Sequence, residues 1–524
     1  MSANELNTNN INEEWKPKFS PWLIALAVML ATAMQSLDST IANIALPNMS
    51  GTFSATNNEI LWVITSYLIS SGVILPSAGW FSSFLGRKKF LLICVIIFTV
   101  ASIMCGLSTN LTMMIFARIL QGAGGGALMP IAQSILLESF PVEKRSQSMA
   151  IFGLGVIMAP IFGPVLGGWI TDNYSWHWIF FINVPIGILA ITLISMFVED
   201  PPYIRANSDK KIDYIGFGAL IVWLVCMQIV FDTGQKADWF QSNTICWLSA
   251  VSILAMIFFI AWELKFKDSI IDLKVFKDQN YSTGALLSFS LGAILYCSLS
   301  ILPLCLQTLL GYSAMASGLS IMPRGVGAFI SFGVVGFLSN KMDFRLQIAI
   351  GFLLLGISNF MLGNINLSIS QNAIIIPNLI SGLAMGFMFI PITTAAFTTL
   401  TQKQIAGGAT GVLNLLRNIG GGIGTALVST FLVRNAQLHQ TYLVQNLTPL
   451  NPIFQQRLQA IQGFLSQHMD IVAATHKANA FIYNQLLQQA NLFSYVDNFR
   501  AIGLICLIML PSAFLFRKIK KDEN

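Results

Sequence analysis

The sequence predicts an all-α integral membrane protein, and three observations indicate this fold class. The chain of 524 residues is 55% hydrophobic and only 10% charged, whereas an ordinary soluble domain is about 25% charged. Apolar stretches long enough to cross a bilayer recur from Trp22 to Phe516. Lysine and arginine gather in alternate loops between these stretches. The shortage of polar surface implies that lipid surrounds most of the chain.

Fourteen stretches have the length and apolar character of a membrane-spanning helix. They lie near residues 22–46, 60–82, 90–107, 112–136, 147–170, 177–198, 214–231, 244–263, 283–307, 316–338, 346–363, 373–397, 408–433 and 498–516. An even number of spans places both termini on the same side of the membrane.

The distribution of positive charge orients these spans, because cytoplasmic loops are enriched in lysine and arginine. Loops on one side hold 21 of the 29 lysine and arginine residues. The opposite loops hold only Lys236, Arg434, Arg457 and Lys477, with Arg500 near a boundary. We therefore expect both termini to be cytoplasmic.

Two polar segments interrupt the spans. Residues 199–213 are a short charged linker, and residues 434–497 are an external segment in which apolar spacing predicts helices over 455–465 and 481–492. The external segment is either a docking surface or a solvated loop without a partner. The predicted organisation is a cytoplasmic tail (1–21), a six-helix bundle (22–200), a linker with an inserted helix pair (201–280) and a second six-helix bundle (281–524) that includes 434–497.

Motifs for nucleotide, metal or disulfide chemistry are missing from the sequence. There is no G-x-x-x-x-G-K-[ST] segment, no histidine pair at metal-ligand spacing, and all seven cysteines lie within apolar runs. We therefore expect no catalytic residue, no metal, no cofactor and no nucleic-acid partner. Energy must then come from an ion gradient, or transport must be passive.

Asp38 lies within the first span, where a charge costs about 2.5–3.5 kcal/mol. A desolvated carboxyl that also has a nearby cation can load and release a proton. We therefore regard Asp38 as the candidate proton carrier, with Gln35 on the same helix face; the alternative is a structural carboxylate. Arg118, in the fourth span, stays charged and either tunes that proton or braces the helices.

The fifth span carries small residues on one face together with two prolines. Such a ladder lets two helix backbones approach closely, and the prolines permit a bend. The pattern predicts either a moving seam between the two halves or plain tight packing. Its members are Gly155, Ala159, Pro160, Gly163, Pro164, Gly167 and Gly168.

A glycine-flanked turn with cations follows both the second and the tenth span, which indicates two related halves. We expect these turns to latch the cytoplasmic ends of the helices, although the positive-inside rule alone could explain the cations. The residues concerned are Gly79, Gly86, Arg87 and Lys88 in the first copy and Asn340, Asp343 and Arg345 in the second. Two further charges inside spans are Arg324 and Arg417.

These motifs resemble those of the major facilitator superfamily, and in particular its fourteen-span drug:proton antiporters. The segment 37–47 is similar to the first-helix motif of that family, and 118–122 to its fourth-helix motif. The segment 163–168 is similar to the antiporter motif, and 176–187 to the helix-six signature. The resemblance implies that Asp38 and Arg118 couple protons and that neighbouring residues support them, namely Gln35, Thr40, Asn43, Gln121 and Gly122.

The resemblance further implies a major facilitator fold, with two six-helix bundles plus a two-helix insert, and alternating access driven by proton entry. The segment 434–497 resembles that of EmrB-type multidrug efflux subunits. Such pumps work with a periplasmic membrane-fusion adaptor and an outer-membrane channel, which implies a bacterial inner membrane. Ser83 stands where the family usually has an acid, so we expect the second copy of the turn to carry more of the latch.

The predicted function is proton-coupled export of hydrophobic or amphipathic drugs and toxic compounds. A same-fold exporter of a metabolite, siderophore or fatty acid is one alternative. A transporter-like membrane sensor is an alternative of another class. The sequence alone does not separate them, because the residues that line a substrate pocket cannot be identified without geometry.

Overall fold

A computed structural model describes residues 17–201, 213–266, 270–271, 273–338, 341–401 and 404–517. Within these ranges the secondary structure is helical, with no strand. Thirteen helices in the described chain are long and apolar enough to cross a membrane. Another helix, Arg145–Asn173, occupies the remaining predicted span, so the fourteen-helix prediction is closely matched.

The long helices, numbered in chain order, are α1 (Pro21–Phe53), α2 (Trp62–Leu85), α3 (Arg87–Gly106), α4 (Leu111–Ser139), α5 (Arg145–Asn173), α6 (Asn183–Phe197), α7 (Tyr214–Thr233), α8 (Asn243–Lys265), α9 (Gln279–Leu304), α10 (Ala314–Leu338), α11 (Phe344–Leu362), α12 (Gln371–Phe397), α13 (Thr410–Val444), α14 (Pro452–Leu465) and α15 (Ile471–Met509).

Local sequence fixes several of the helix starts. Pro21 opens α1, where its missing N–H costs no hydrogen bond. Asn110, Asp213 and Asp278 cap α4, α7 and α9 by accepting hydrogen bonds from backbone N–H groups of the first turn.

The helices pack as two bundles and an inserted pair. In the first bundle α1 packs against α4, α5 and α6, while α4 also packs against α2 and α3. In the second, α12 packs against α9, α10 and α11, and α15 packs against α11 and α13. The pair α7–α8 lies beside the bundles, with α7 touching α2 and α13. The exact domain boundaries stay a prediction.

The two bundles meet near the side on which α1 begins and α15 ends, which we call the terminal face. Asn414 of α13 donates to Gln133 Oε1 of α4 at 2.7 Å. One turn earlier, at the first residue of α13, Thr410 donates to the Pro130 carbonyl at 3.1 Å. These bonds join side chains from opposite bundles, so the molecule is closed at the terminal face.

Close packing of glycines supports the same closure. A methyl group added at Gly153 of α5 would lie 2.0 Å from the Phe332 ring of α10, so the two helices touch there. Gly408, which has a φ of +109°, places its backbone beside Gly79 of α2. A side chain at Gly153 would push the two bundles apart.

The segment 434–497 is largely helical, as predicted, and its helices are continuous with those of the thirteenth and fourteenth predicted spans. Helix α13 continues past the predicted span to Val444, and α15 begins at Ile471, well before the predicted start at residue 498. The predicted helices over 455–465 and 481–492 are confirmed as parts of α14 and α15. Hydrophobicity shows where a helix leaves the lipid, whereas helical hydrogen bonding carries on beyond that point.

Candidate functional site

Asp38 lies completely buried inside the first bundle and accepts three hydrogen bonds. Its Oδ2 accepts from Arg118 Nη1 at 2.7 Å. Its Oδ1 accepts from Gln121 Nε2 and from Asn183 Nδ2, each at 2.8 Å. These bonds join Asp38 of α1 to side chains of α4 and α6, so the carboxylate links three helices.

Arg118 is tied to α2 as well as to Asp38. Its Nε donates to the Val63 carbonyl at 3.0 Å, and its guanidinium carbon lies 4.3 Å from the centroid of the Tyr67 ring. Its Nη1 also donates to Gln121 Oε1 at 2.6 Å. The guanidinium therefore joins α1, α2 and α4, and a change in its bonding to Asp38 would be felt by all three.

Ser102 completes the cluster from α3. Its hydroxyl accepts from Gln121 Nε2 at 2.8 Å and from Asn183 Nδ2 at 3.3 Å. Asn183 falls within the segment 176–187 that resembles the helix-six signature, but no role was predicted for it, and Ser102 and Tyr67 were not predicted. A buried amide at the start of a span was the available signal for Asn183; serine and tyrosine are too common in such helices to stand out.

Three of the predicted supporting residues lie outside this network. Thr40 donates to the carbonyl oxygens of its own helix, at Leu37 and Ser36. Asn43 is exposed, and Gln35 has a buried Oε1 without a hydrogen-bond partner among the described residues. Thr40 and Asn43 therefore do not reach the cluster, whereas Gln35 lies beside Tyr67 at its edge.

Comparison with known proteins identifies the family. A family model described as Major Facilitator Superfamily matches residues 28–425. The chain belongs to the major facilitator superfamily. The multidrug export protein EmrB of Escherichia coli is 34% identical over 490 residues, covering 93% of this chain and 94% of that protein. The fatty acid resistance protein FarB of Neisseria gonorrhoeae is 33% identical over 495 residues, covering 94% of this chain and 95% of that protein.

Solved structures of the superfamily share the fold. The proton:xylose symporter XylE bound to 6-bromo-6-deoxy-D-glucose superposes with a TM-score of 0.60 at 14% identity, covering 94% of this chain and 95% of that one. The human organic anion transporter MFSD10 superposes with a TM-score of 0.59 at 13% identity, covering 93% of this chain and all of that one. At this level of identity the likeness concerns the fold alone.

In the first copy of the turn, the predicted latch is formed with two acids that lie outside the turn, Glu138 and Asp200. Arg87 forms a bidentate ion pair with Glu138 of α4, with both N–O distances at 2.9 Å and both side chains buried. The backbone N–H of Lys88 donates to Asp200 Oδ1 at 2.7 Å. Gly86, with a φ of +86°, allows the sharp turn between α2 and α3. Glu138 and Asp200 supply the negative charge that Ser83 lacks.

The described part of the second copy of the turn forms no ion pair, unlike the first copy, and the expectation that it carries more of the latch stays a prediction. Asp343 accepts from the backbone N–H of Arg345 at 2.9 Å, so it caps its own helix. The Nε of Arg345 is buried without a hydrogen-bond partner among the described residues. Asn340 lies outside the described residues. The difference arises because acids distant in sequence, Glu138 above all, replace the missing local one.

Gly155, Gly163 and Gly167 of the α5 ladder face α1 of their own bundle, which matches the alternative of plain tight packing for these three residues. A moving seam between the halves stays a prediction. Added methyl groups at Gly155, Gly163 and Gly167 would meet Met29, Thr40 and Ile41 of α1, respectively. The inter-bundle contact of α5 instead uses Gly153. The side chains of residues 157–161 and 164, which include Ala159, Pro160 and Pro164, lie outside the description.

Gly122 brings α4 against α2, since an added methyl group there would lie 2.5 Å from the Tyr67 carbonyl oxygen. Gly168 has nothing within 4 Å of such a methyl group. The two remaining intramembrane arginines lie in the second bundle. Arg324 is fully buried and donates to Ser298 Oγ at 3.1 Å, and Arg417 lies over the ring of Phe389.

Proposed function

We propose that this chain is a proton-coupled antiporter that exports hydrophobic or amphipathic drugs and toxic compounds. The observation that carries the proposal is the fully buried pair of Asp38 and Arg118, held at 2.7 Å inside a membrane bundle. Charges at such depth are costly and mark ion pathways in transporters. The names of the relatives, which include multidrug export proteins, support the nature of the cargo.

The hydrogen bonds around Asp38 provide a mechanism for coupling. A proton on Asp38 neutralises the carboxylate and weakens its charge-assisted bond to Arg118. Arg118 would then keep its contacts with Val63 and Tyr67 of α2 while α1 is released. Because packed helices have discrete arrangements rather than a continuous range, this local change can shift the bundles between two states.

We further propose that both termini lie in the cytoplasm of a bacterium and that the chain spans its inner membrane. The excess of lysine and arginine in the loops of the terminal face supports this orientation. The closed terminal face then separates the site from the cytoplasm, and Asp38 would take its proton from the periplasmic side.

The helices α13, α14 and α15 form a projection on the opposite face, which we propose as the docking surface for a periplasmic membrane-fusion adaptor. Gln440 donates to the Tyr483 hydroxyl at 2.7 Å, and Arg457 of α14 donates to Gln485 at 2.8 Å. Large apolar side chains on the outside remain uncovered, since Leu450 is 93% and Ile453 is 75% exposed. An adaptor that covers them would pass the cargo to an outer-membrane channel.

A fatty-acid exporter with the same fold is the second candidate, and one structural feature favours it. The second bundle contains buried arginines without a carboxylate partner among the described residues, and a fatty acid carries the complementary charge. The 33% identical relative FarB is named a fatty acid resistance protein, which supports such a cargo.

Transport by the purified wild-type protein in liposomes tests the proposed function. We expect an imposed pH gradient to drive movement of a lipophilic dye against the direction of proton flow, and nigericin to abolish it. If neither dyes nor protons moved under a gradient, the transporter-like sensor would replace the pump. If protons moved only with a fatty acid among a broad panel of compounds, the second candidate would be correct.

A further inference from the structure

The second bundle contains two buried arginines, Arg324 and Arg417, and no carboxylate lies within ion-pair distance of either among the described residues. Between residues 279 and 433 the sequence has one acidic residue, Asp343, which caps α11 at the terminal face. Arg324 and Arg417 both lie inside this bundle and are at least nine-tenths buried. A buried charge without a counter-charge is strongly unfavourable, so a charge from outside the chain would complete the bundle.

Arg417 differs sharply from Arg118 in its surroundings. Arg118 has Asp38 at 2.7 Å, whereas no carboxylate lies within ion-pair distance of Arg417 among the described residues. The Nε of Arg417 is buried and has no hydrogen-bond partner in the described structure. Its guanidinium carbon lies 4.6 Å from the centroid of Phe389. This contact orients the guanidinium but leaves its N–H donors and its charge available.

The position of Arg417 is that of a ligand site between the bundles. It lies one helical turn beyond Asn414, whose bond to Gln133 closes the terminal face. Phe389, beneath the guanidinium, stacks with Phe152 of the first bundle, with ring centroids 6.1 Å apart. Arg417 therefore sits directly above the closed end, on a floor of aromatic rings contributed by both bundles.

Tyr296 of α9 forms a wall of the same site. Its ring packs over Gly421 of α13, where an added methyl group would lie 2.6 Å from a ring carbon. Its hydroxyl is close enough to Arg417 for an electrostatic interaction. Although Tyr296 lies in the middle of a membrane helix, it is 42% exposed. Arg417 is 8% exposed and lies beside this exposed ring, whereas Arg324 is not exposed at all.

We propose that Arg417 binds the carboxylate of an amphipathic organic acid, with the rings of Phe389 and Tyr296 against the apolar body of the ligand. The guanidinium fork matches a carboxylate with two parallel hydrogen bonds. The inference rests on the proposed function, since it names a substrate class for the same transporter. It predicts a preference for acids over neutral molecules of the same size.

Binding of two matched probes to the full-length protein in nanodiscs tests this site. Radiolabelled 2-naphthoate and 2-naphthamide share an apolar body and differ in charge. We expect the wild type to bind naphthoate more tightly, and Arg417→Gln to weaken naphthoate binding about tenfold or more while naphthamide binding changes less than about twofold. Equal loss of both probes would give Arg417 a structural role and overturn the proposal, as would unchanged naphthoate binding.

Arg434→Gln is the matched control. It removes the same charge from the same helix, roughly 25 Å further along its axis, at an exposed position. Naphthoate binding should be unchanged; a loss equal to that of Arg417→Gln would show a general field effect and contradict a local site. If chloride displaced labelled naphthoate at concentrations similar to those at which unlabelled naphthoate does, the site would bind inorganic anions. That result would also overturn the proposal.

Should Arg417→Gln not fold, Arg417→Lys provides the same test with the charge retained. Loss of the planar fork should weaken naphthoate binding severalfold and spare naphthamide; wild-type affinity for naphthoate would overturn the proposal. Binding needs no gradient, so the two proposals fail separately. Arg417-dependent naphthoate binding by a protein that transports nothing would refute the pump alone, and proton-driven export of dyes without such binding would refute the site alone.

Discussion

At the scale of single residues, the buried guanidinium groups of Arg118 and Arg417 have different surroundings. Arg118 and Asp38 neutralise each other, and five helices contribute to their network through Asp38, Val63, Ser102, Arg118 and Asn183. Arg417 lacks such a partner in the described structure. These surroundings support the proposals that the first bundle holds the proton site and the second a site for cargo.

Arg118→Lys should reduce proton-driven transport by roughly 10–100-fold, because charge-assisted bonds of this kind contribute about 1.5–3 kcal/mol each. Lysine keeps the charge but cannot bond Asp38, Gln121 and the Val63 carbonyl at once while stacking on Tyr67. Transport rates in liposomes measure the effect. A variant with the wild-type rate would show that only the charge at this position matters.

At the scale of helices, the close contact between α1 and α5 sets the position of Asp38. Gly163 and Gly167 pack against Thr40 and Ile41, within one turn of Asp38. The ladder was recognisable from sequence because small residues recur at helical spacing. Its partner was not recognisable, because spacing describes one helix and says nothing about which neighbour faces it.

Gly163→Ala should lower both transport and the melting temperature in detergent. The added methyl group would lie 2.3 Å from Thr40 Oγ1, and overpacking of this kind costs about 1–3 kcal/mol. Gly168→Ala, in the same motif, has nothing within 4 Å of the added group and should leave both quantities close to wild type. Equal effects of the two substitutions would contradict the packing described for α5.

Polar substitution of the projection should separate cellular export from transport itself. Replacing Leu450, Ile453 and Phe464 with glutamine removes exposed apolar surface, while the bonds of Gln440 and Arg457 that hold the helices remain. We expect export from whole cells to fall while transport in liposomes is unchanged. Undiminished cellular export would refute the docking role of this projection.

At the scale of the whole molecule, the bundles are closed at the terminal face through α2, α4 and α5 on one side and α10, α12 and α13 on the other. An alternating-access transporter must open this contact once in each cycle. The contact between Asn414 and Gln133 is a suitable place to test that requirement, because it joins the two bundles directly.

A disulfide between Gln133→Cys and Asn414→Cys, in a background without the seven native cysteines, should form under mild oxidation and stop transport. Reduction should restore it. Cross-linking is measured by gel mobility after the chain is cleaved between the bundles. Transport is measured in liposomes. A fully cross-linked protein that still transported at the wild-type rate would show that the terminal face does not open.

The sequence was sufficient for the helices and for the pair at the centre of the site. Apolar length located the spans, and the cost of intramembrane charge singled out Asp38 and Arg118. It was insufficient where the partner is distant in the chain, as with Asn183 for Asp38 and Glu138 for Arg87. Three-dimensional packing decides these pairings, and neither spacing nor composition of a single segment encodes them.

The central claim is that Asp38 carries the coupled proton, and Asp38→Asn tests it most directly. Asparagine keeps the size of the side chain but cannot take up and release a proton in this way. In liposomes, the variant should lose accumulation driven by a pH gradient and retain exchange of labelled for unlabelled cargo. Asp172→Asn, at an exposed position on α5, should retain both activities. Gradient-driven accumulation by Asp38→Asn at the wild-type rate would contradict the account.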